Sequence, residues 1–402
     1  MQVGFGKQII TPTKPIEMSG YAGNRLSTGV HDDLYVKALV FKQNHEYQGI
    51  LSFDLLGVDR QLKEDILKQV EVPIQLVLCA THTHQGPNRI LSSSFKTLFL
   101  QVDDKYHQFL IQQSVLAIQK AIATLEFFEI FYGKNQVHGV YSNRHESDRF
   151  YNSYLNILKL ETETKTIGLF NFSCHPTILK DDNTLFSKDL VYGLETHLYG
   201  YDEFMFLNGT AGDISTRFTR TSSDYQQVDE TGRRLAYIIM ATDLRPLPTF
   251  GPIEFSLHVF SLKTKEARLE SEIIQQKETL EKTLATLQDP VERRQIITQL
   301  QGLEVEIQNA DFLNNHQDWD VYVNLLDFGG FKIVTFPLEV FSSLAIDLLK
   351  YHPDVLMVSY VDGYNGYLAD QSAYERQVYE AHSSIFKKGE GERLFAEVKT
   401  LL

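Results

Sequence analysis

The chain has 402 residues, of which 43% are hydrophobic and 22% charged, a composition typical of a globular protein with a large buried core. Its formal net charge of −14 argues against a nucleic-acid partner, because binding to phosphate groups requires clustered Lys and Arg. The sequence shows neither a secretory leader nor an apolar run of about 18 residues, so we expect a cytoplasmic protein without an integral membrane segment.

Short apolar runs alternate with segments of helical periodicity in the first part of the chain, which predicts an α/β fold. Amphipathic spacing predicts helices over 61–70, 104–125 and 228–241. Cys79 and Cys174 lie in apolar runs and are expected to be buried structural thiols. Strands are predicted over 34–42, 49–54, 74–81, 127–132, 154–161, 166–172 and 203–207.

The composition changes over 263–311, where Gln, Glu, Lys and Leu recur with helical spacing. Asp289-Pro290, with Glu292 after it, predicts the start of a second helix and therefore an antiparallel hairpin. The hairpin is a candidate lid or a surface for homo-oligomer formation, and the alternative is a solvated structural insertion. The α/β pattern continues after the hairpin, with strands predicted over 321–326, 331–336 and 355–360 and a helix over 338–350. We therefore interpret residues 1–402 as one domain interrupted by the hairpin.

Two histidines follow the apolar strand predicted over 74–81, in the segment Thr81-His82-Thr83-His84. Since residues i and i+2 of a strand share a face, His82 and His84 can bind one metal ion. Histidines at a strand end also cap strands or bond to carbonyl groups, which remains an alternative for this pair. His175 follows the strand predicted over 166–172 in the same way, and three histidines so placed favour a metal site.

Two further residues are candidates from their positions. Glu339 follows the strand predicted over 331–336 and is a candidate carboxylate ligand, although a Glu in a first helical turn also interacts favourably with the helix dipole. Ser215 ends a loop of small and polar residues, where it can attack a substrate, orient one, or belong to a plain turn. The chain lacks the Gly-x-Ser-x-Gly motif, which disfavours a Ser-His-Asp enzyme of the α/β-hydrolase type.

A set of short motifs runs along the chain from about residue 3 to residue 386. They are Met18-Ser19-Gly20-Tyr21-Ala22, Gly29-Val30-His31, the Thr-His-Thr-His segment with Gly86-Pro87, Asn143-Arg144, Cys174-His175-Pro176-Thr177, Ser187-Lys188-Asp189, Gly212-Asp213-Ile214-Ser215, Gly363-Tyr364-Asn365-Gly366-Tyr367 and Tyr379-Glu380. In this order the motifs resemble those of the neutral/alkaline, non-lysosomal ceramidases. The resemblance covers the catalytic domain of that family, and the C-terminal β-sandwich is expected to be missing.

The resemblance implies mixed twisted sheets flanked by helices, in a layered αββα arrangement. It also implies a catalytic Zn²⁺ and hydrolysis of a small-molecule N-acyl amide or lipid-like substrate to a fatty acid and an amine. Ser215 matches the family residue regarded as nucleophile or transition-state partner, and Arg144 and Tyr379 match positions that contact the substrate. The implied zinc ligands are His82, His84, His175, Glu339 and Tyr367.

Two mechanisms fit these residues, namely attack by zinc-activated water and attack by Ser215 on a carbonyl polarised by zinc. We favour water attack, with Ser215 in a positioning role. The family pattern Gly-Asp-Val-Ser-Pro-Asn is replaced here by a segment that ends in Thr216-Arg217, which can admit a substrate other than ceramide. The competing hypothesis is a non-catalytic protein that keeps the metal for structure and binds a ligand or partner.

Overall fold

The computed structural model describes residues 1–402 apart from residues 22, 89, 92–101 and 248–250. Ala22, the last residue of the Met18 to Ala22 motif, therefore lies outside the described residues. Within the described part of the chain, no helix combines the length and the apolar character that crossing a bilayer requires.

The strands of the described residues carry the labels β1 to β19 in chain order. They are β1 (Gln2–Ile9), β2 (Gly29–Val30), β3 (Tyr35–Gln43), β4 (Glu46–Phe53), β5 (Ile74–Ala80), β6 (Glu126–Gln136), β7 (Ser142–Asn143), β8 (Tyr154–Thr162), β9 (Thr166–Phe172), β10 (Leu185–Phe186), β11 (Glu203–Asn208), β12 (Ile214–Ser215), β13 (Arg245–Pro246), β14 (Glu254–Lys263), β15 (Asp318–Asp327), β16 (Lys332–Thr335), β17 (Glu339–Val340), β18 (Leu356–Val358) and β19 (Tyr367–Leu368).

The helices of the described residues are labelled in the same way. They are α1 (Arg60–Gln69), α2 (Asp104–Ala123), α3 (Leu190–His197), α4 (Tyr225–Met240), α5 (Glu270–Thr286), α6 (Pro290–Asn315), α7 (Ser342–Tyr351), α8 (Gln371–Glu375), α9 (Tyr379–Ser383) and α10 (Glu390–Lys399).

Two mixed sheets form the centre of the fold. The larger one has the strand order β11-β9-β8-β6-β1-β3-β4-β5, with β13 beside β6, and the smaller one has the order β14-β15-β16-β18. Pairing is parallel between β4 and β5, between β9 and β11, and between β16 and β18, and antiparallel elsewhere in these sheets. The sheets are therefore mixed, as the α/β interpretation predicts.

Side-chain alternation along the strands divides the core into layers. In β3, Val36 and Val40 pack with residues of α1 and α2, whereas Leu39 and Phe41 face the smaller sheet. The outer face of the smaller sheet packs on α7 and α10, and α3 and α4 cover the other end of the larger sheet. The resulting order is helices, sheet, sheet, helices, which confirms the predicted α/β fold class with two sheets flanked by helices.

The helix predicted over 338–350 begins four residues later in the structure. The structure starts α7 at Ser342 and holds Glu339–Val340 as the short strand β17, parallel to β19. The cause is backbone pairing, since Glu339 N donates to Gly366 O (2.9 Å) and Phe341 N donates to Leu368 O (3.1 Å). Glu339 is thus outside the first helical turn, and the helix-dipole explanation for its position is wrong.

The helical hairpin predicted over 263–311 is formed by α5 and α6. Asp289 Oδ1 accepts hydrogen bonds from Val291 N (2.9 Å) and Glu292 N (2.8 Å), and Pro290 takes the first helical position. The helix α5 is largely exposed, as the solvated-insertion alternative predicts. The second half of α6 instead packs against α9. A Cβ at Gly302 would lie 3.1 Å from Tyr379 Cα, so the close approach depends on this glycine. A role of the hairpin in homo-oligomer formation stays a prediction.

Candidate metal centre

Three histidines converge at one end of the larger sheet. The strand β5 ends at Ala80, and His82 has a left-handed backbone with φ of 69°, so shared strand faces do not explain why His82 and His84 meet. Their Nε2 atoms nevertheless lie 3.3 Å apart, and His175 joins them from the segment after β9. One ring nitrogen from each of the three imidazoles lies within 4.8 Å of the others.

Hydrogen bonds fix which nitrogen of two of these rings carries the proton. Nδ1 of His82 lies 2.7 Å from Leu56 O, and Nδ1 of His175 lies 2.7 Å from Ala211 O. Because a carbonyl oxygen only accepts, each Nδ1 must donate, and in a neutral imidazole Nε2 then keeps its lone pair. Both Nε2 lone pairs therefore point into the centre, as they do when a backbone carbonyl orients a metal-binding histidine.

The pKa shifts keep two of these rings neutral near pH 7. Burial lowers the pKa of His84 well below its usual value, and the neighbouring His82 and His175 rings add to this effect. Burial also lowers the pKa of His175 to about 4, with the positive charge of Arg144 as the second cause. A neutral imidazole is the form that binds a metal ion.

Glu339 supplies a carboxylate to the same centre. Its Oε2 lies 3.0 Å from His175 Nε2 and 3.4 Å from His82 Nε2, and the residue is only 2% exposed. With both Nδ1 atoms donating to carbonyls, lone pairs of two nitrogens and one oxygen face one another, an arrangement that a cation between them would satisfy.

The tyrosines around Glu339 differ in their contacts. Tyr364 donates from its hydroxyl to Glu339 Oε1 (2.5 Å), and Tyr360 stacks on the His82 ring with 4.0 Å between ring centroids. The predicted ligand Tyr367 is the register partner of Glu339 in the β17–β19 pair, and its ring lies 5.2 Å from the Arg144 guanidinium carbon. Sequence reasoning missed the contacts of Tyr360 and Tyr364. Tyr364 lies in the Gly363 to Tyr367 motif, whereas Tyr360 lies outside every motif of the set.

Arg144 is held beside the centre by an ion pair. Its Nε donates to Glu380 Oε1 (2.6 Å), and its Nη1 lies 3.4 Å from His175 Nε2. Burial raises the pKa of Glu380, but Arg144 and His145 outweigh it and hold that pKa far below the usual range. Tyr379 precedes Glu380 at the start of α9 and contacts the Tyr367 ring at 6.0 Å, so the predicted substrate-binding pair Arg144 and Tyr379 shares one wall of the site.

Ser215 lies on the short strand β12, paired with β7 next to Arg144. Its Oγ accepts a hydrogen bond from Arg217 N (3.3 Å), and within the described part of the chain no imidazole bonds to it. The loop before it is fixed by Asp213, whose Oδ1 accepts from Ser342 N (2.7 Å). The structure therefore places Ser215 beside the centre without a general base, a geometry that suits an orienting group better than a nucleophile.

Residues 18–21 lie on the other side of His84 and support its ring. A Cβ at Gly20, which has φ of 92°, would lie 2.5 Å from His84 Nδ1, and the Tyr21 ring packs edge-on at 5.0 Å. Arg25 donates to His84 O (2.5 Å) and to Gln85 Oε1 (2.7 Å). Sequence reasoning missed Arg25, because nothing in its local sequence identifies partners about sixty positions away.

Comparisons with known proteins found one matching family and several similar structures. The family model described as neutral/alkaline non-lysosomal ceramidase, N-terminal, matches residues 1–192. The crystal structure of neutral ceramidase from Pseudomonas aeruginosa is similar in fold, with a TM-score of 0.76 and 15% identity over 99% of this chain and 73% of that one. The structure titled "Ceramidase complexed with C2" has a TM-score of 0.73 and 15% identity, covering 99% of this chain and 74% of that one. A comparison with curated proteins gave no match. The predicted family resemblance is confirmed.

Proposed function

From the neutral/alkaline ceramidase match over residues 1–192 and the neutral ceramidase fold of the whole chain, we propose that this protein is a zinc-dependent hydrolase of linear N-acyl amides. Family and fold support a hydrolase of ceramide-like amides, and the zinc ion and the linear amide are our additions. In the reaction the amide C–N bond breaks, the acyl carbon gains the oxygen of water, and the amine nitrogen gains a proton.

The observation that carries the proposal is the set of lone pairs that converge on one point. His82 and His175 present Nε2 because their Nδ1 atoms bond to carbonyl groups, and Glu339 Oε2 lies within 3.4 Å of both. Three nitrogens and one carboxylate oxygen form a donor set that zinc accepts, whereas magnesium and calcium prefer oxygen ligands. A zinc ion held by His82, His84, His175 and Glu339 would make a water molecule more acidic and would polarise a carbonyl oxygen.

The residues that surround this set have separate roles in the proposal. We assign Tyr367 as a further ligand, since it stands next to Glu339 in the β17–β19 pair. Arg144 and Tyr379 donate hydrogen bonds to the substrate carbonyl as it gains negative charge. Burial, followed by the negative charge of Glu339, raises the pKa of Tyr379 to about 12, so the phenol keeps the proton that it donates.

Ser215 orients the substrate or the attacking water in this proposal. Its Oγ accepts from a backbone N–H and bonds to no imidazole in the described part of the chain, and the Nδ1 atoms of His82 and His175 bond to carbonyl groups. A serine without a base attacks poorly, because its hydroxyl must lose a proton in the same step. We therefore favour attack by water over attack by Ser215.

Acyl release from a panel of ceramides, N-acyl amino acids and esters, measured together with zinc content, tests the proposal. His84→Ala is expected to lose both zinc and turnover, while the exposed Ser222→Ala serves as a control with neither change. Ser215→Ala should keep zinc and slow turnover by about 10- to 100-fold if it orients, and should abolish turnover if it attacks. Full zinc occupancy without hydrolysis of any substrate would refute the enzyme and favour the non-catalytic alternative.

A further inference from the structure

The short helix α9 lies between the candidate centre and the helical hairpin. It begins with Tyr379, and Val378 before it caps the helix with no side-chain hydrogen bond. On the side of the centre, Glu380 accepts from Arg144 Nε (2.6 Å) and lies 3.2 Å from His145 Nε2. Because isolated helices shorter than about 12 residues are marginal in water, the position of this five-residue helix depends on such contacts.

The hairpin helix α6 contacts the face of α9 that carries Tyr379. Tyr379 and His382 are three positions apart and therefore lie on one face of α9. Gly302 packs against both, since a Cβ added there would lie 3.1 Å from Tyr379 Cα and 2.9 Å from His382 Cβ. One turn further along α6, Glu306 Oε2 lies 2.8 Å from His382 Nδ1. The hairpin thus holds α9 from the side opposite to Arg144.

Side chains of the hairpin region also bond to the last backbone carbonyl groups of α9. Asn309 Nδ2 donates to Ser383 O (3.1 Å). Lys265, in the segment that leads into α5, donates from Nζ to Ala381 O (3.2 Å) and to His382 O (2.5 Å). The last carbonyl groups of a helix have no partner within the helix. The hairpin region therefore fixes the C-terminal end of α9 as well as its face.

The charge of Glu306 is unusual for a helix-to-helix contact. The residue is 4% exposed, and its carboxylate contacts His382 Nδ1 at 2.8 Å and Arg268 Nη1 at 3.5 Å. A buried pair of this kind adds little net stability over apolar side chains of the same size, and its best-attested use is to fix which residues stand opposite one another. The pair between Glu306 and His382 suits that role, because it sets the register of α9 on α6.

We propose that Glu306 is a positioning residue for amide hydrolysis, which acts through His382 to hold the Tyr379 phenol at the substrate carbonyl. This inference rests on the proposed function. Glu306 touches neither the histidines of the centre nor the substrate, and its effect passes through α9. Such an effect can be large, because a displacement of about 1 Å in a group that contacts the reacting atoms can reduce turnover by about 100-fold.

The test measures kcat, KM and zinc content with the N-acyl amide that wild type cleaves fastest. Glu306→Ala should lower kcat by about 10- to 30-fold with KM within about 2-fold, because Tyr379 acts on the carbonyl as charge develops there. Zinc content should stay at the wild-type level. Glu306→Gln keeps an acceptor for His382 Nδ1 and should lose less than about 3-fold in kcat. Glu304→Ala is the matched control, since Glu304 is exposed on the same helix and pairs with Lys277 of α5 (3.1 Å), and it should match wild type.

A double variant separates positioning from a general structural role. Tyr379→Phe should lower kcat by about 100-fold, as removal of one hydrogen-bond donor to a developing oxyanion does. Adding Glu306→Ala to it should reduce kcat by less than about 3-fold more, since the placement of an absent hydroxyl no longer matters. If Glu306→Ala does not fold, Gly302→Ala takes its place in the same cycle, because alanine favours the helix α6 while its Cβ displaces α9.

Three results would overturn the inference and leave the proposed hydrolase intact. They are a wild-type kcat in Glu306→Ala, equal losses in Glu306→Gln and Glu306→Ala, and a double variant in which the two separate losses multiply in full. The last of these would indicate a structural role that is independent of Tyr379.

If wild type cleaves no substrate, the proposed function fails, and hydrogen exchange decides whether Glu306 holds α9. The N–H groups of Ala381 and His382 bond to Val378 O, and Ser384 N bonds to Glu380 O. In Glu306→Ala these amides should exchange about 10-fold faster than in wild type, while Glu304→Ala keeps the wild-type rates. Equal rates in Glu306→Ala and wild type would refute the positioning role.

Discussion

Two polar clusters in the described part of the chain have their charges arranged in opposite ways. The histidine centre consists of His82, His84, His175 and Glu339, with nitrogen and oxygen lone pairs that face one another. The lysine cluster consists of Lys37, Asp54, Lys188 and Glu195, in which cations and carboxylates alternate. Lys188 pairs with Glu195, and Lys37 Nζ lies 4.0 Å from the other oxygen of the same carboxylate.

The difference separates a structural cluster from a candidate functional one. The lysine cluster is neutralised by its own members, so it needs no ligand, and buried pairs of this kind contribute little net stability. In the histidine centre, burial lowers the pKa of His84 and of His175, and the Nδ1 atoms of His82 and His175 bond to carbonyl groups, so their Nε2 lone pairs face Glu339. Burial of polar side chains alone therefore does not identify a functional site. Lone pairs that face one another without a cation between them indicate a candidate site.

Removal of a ligand from the histidine centre should have the largest effect. We expect His175→Ala to lose stoichiometric zinc and to reduce acyl release by on the order of 100-fold or more, since the metal ligand and its carbonyl bond disappear together. Lys188→Met is the matched change in the lysine cluster and should lower stability while zinc content stays at the wild-type level. Zinc analysis and thermal unfolding of both variants check the prediction, which fails if Lys188→Met also loses zinc.

A smaller effect is expected from the glycine that supports His84. Gly20→Ala places a Cβ 2.5 Å from the His84 ring and should weaken zinc binding by about 10- to 100-fold, as changes to groups that orient ligands do. Gly23→Ala is the control, because Gly23 has a similar φ of 90° and nothing within 4 Å of the added Cβ. Competition with a zinc chelator measures both affinities. Equal losses in the two variants would mean that backbone strain, and not contact with His84, is responsible.

The three histidines of the centre could be predicted as candidates from sequence because His82, His84 and His175 follow apolar strands, whose ends are visible in the local pattern. The strand at Glu339 could not be predicted, since its pairing partner β19 lies on the far side of α7. The contact between α6 and α9 depends on the absence of a side chain at Gly302, which helical spacing does not reveal. Local sequence thus indicates elements and strand ends, while pairing between distant segments decides which side chains meet.

The lysine cluster leads to a prediction about pH and stability. Burial raises the pKa of Asp54 to about 6, although Lys37 and Lys188 oppose the shift. Between about pH 4 and pH 6 the folded protein keeps a proton that the unfolded chain has lost, so stability falls as pH rises, by about 2 to 3 kcal/mol for this group. Asp54→Asn should lack this contribution.

Urea unfolding of metal-free protein at pH 4, 5 and 6 measures the slope. Asp65→Asn is the control, because hydrogen bonds from Lys68 and Gln61 lower the pKa of Asp65 to about 2, which lies below this pH window. It should therefore keep the wild-type slope. An unchanged slope in Asp54→Asn would show that Asp54 is ionised in the folded protein throughout this range.

The most direct test of the central claim is a titration of chelator-treated protein with zinc while acyl release from an N-acyl amide is followed. We predict no turnover without metal, a linear rise with added zinc and a plateau at one zinc per chain, with neither binding nor turnover at that ratio in His82→Ala. Full turnover by the metal-free protein, or zinc binding that does not require His82, would contradict the assignment of this centre.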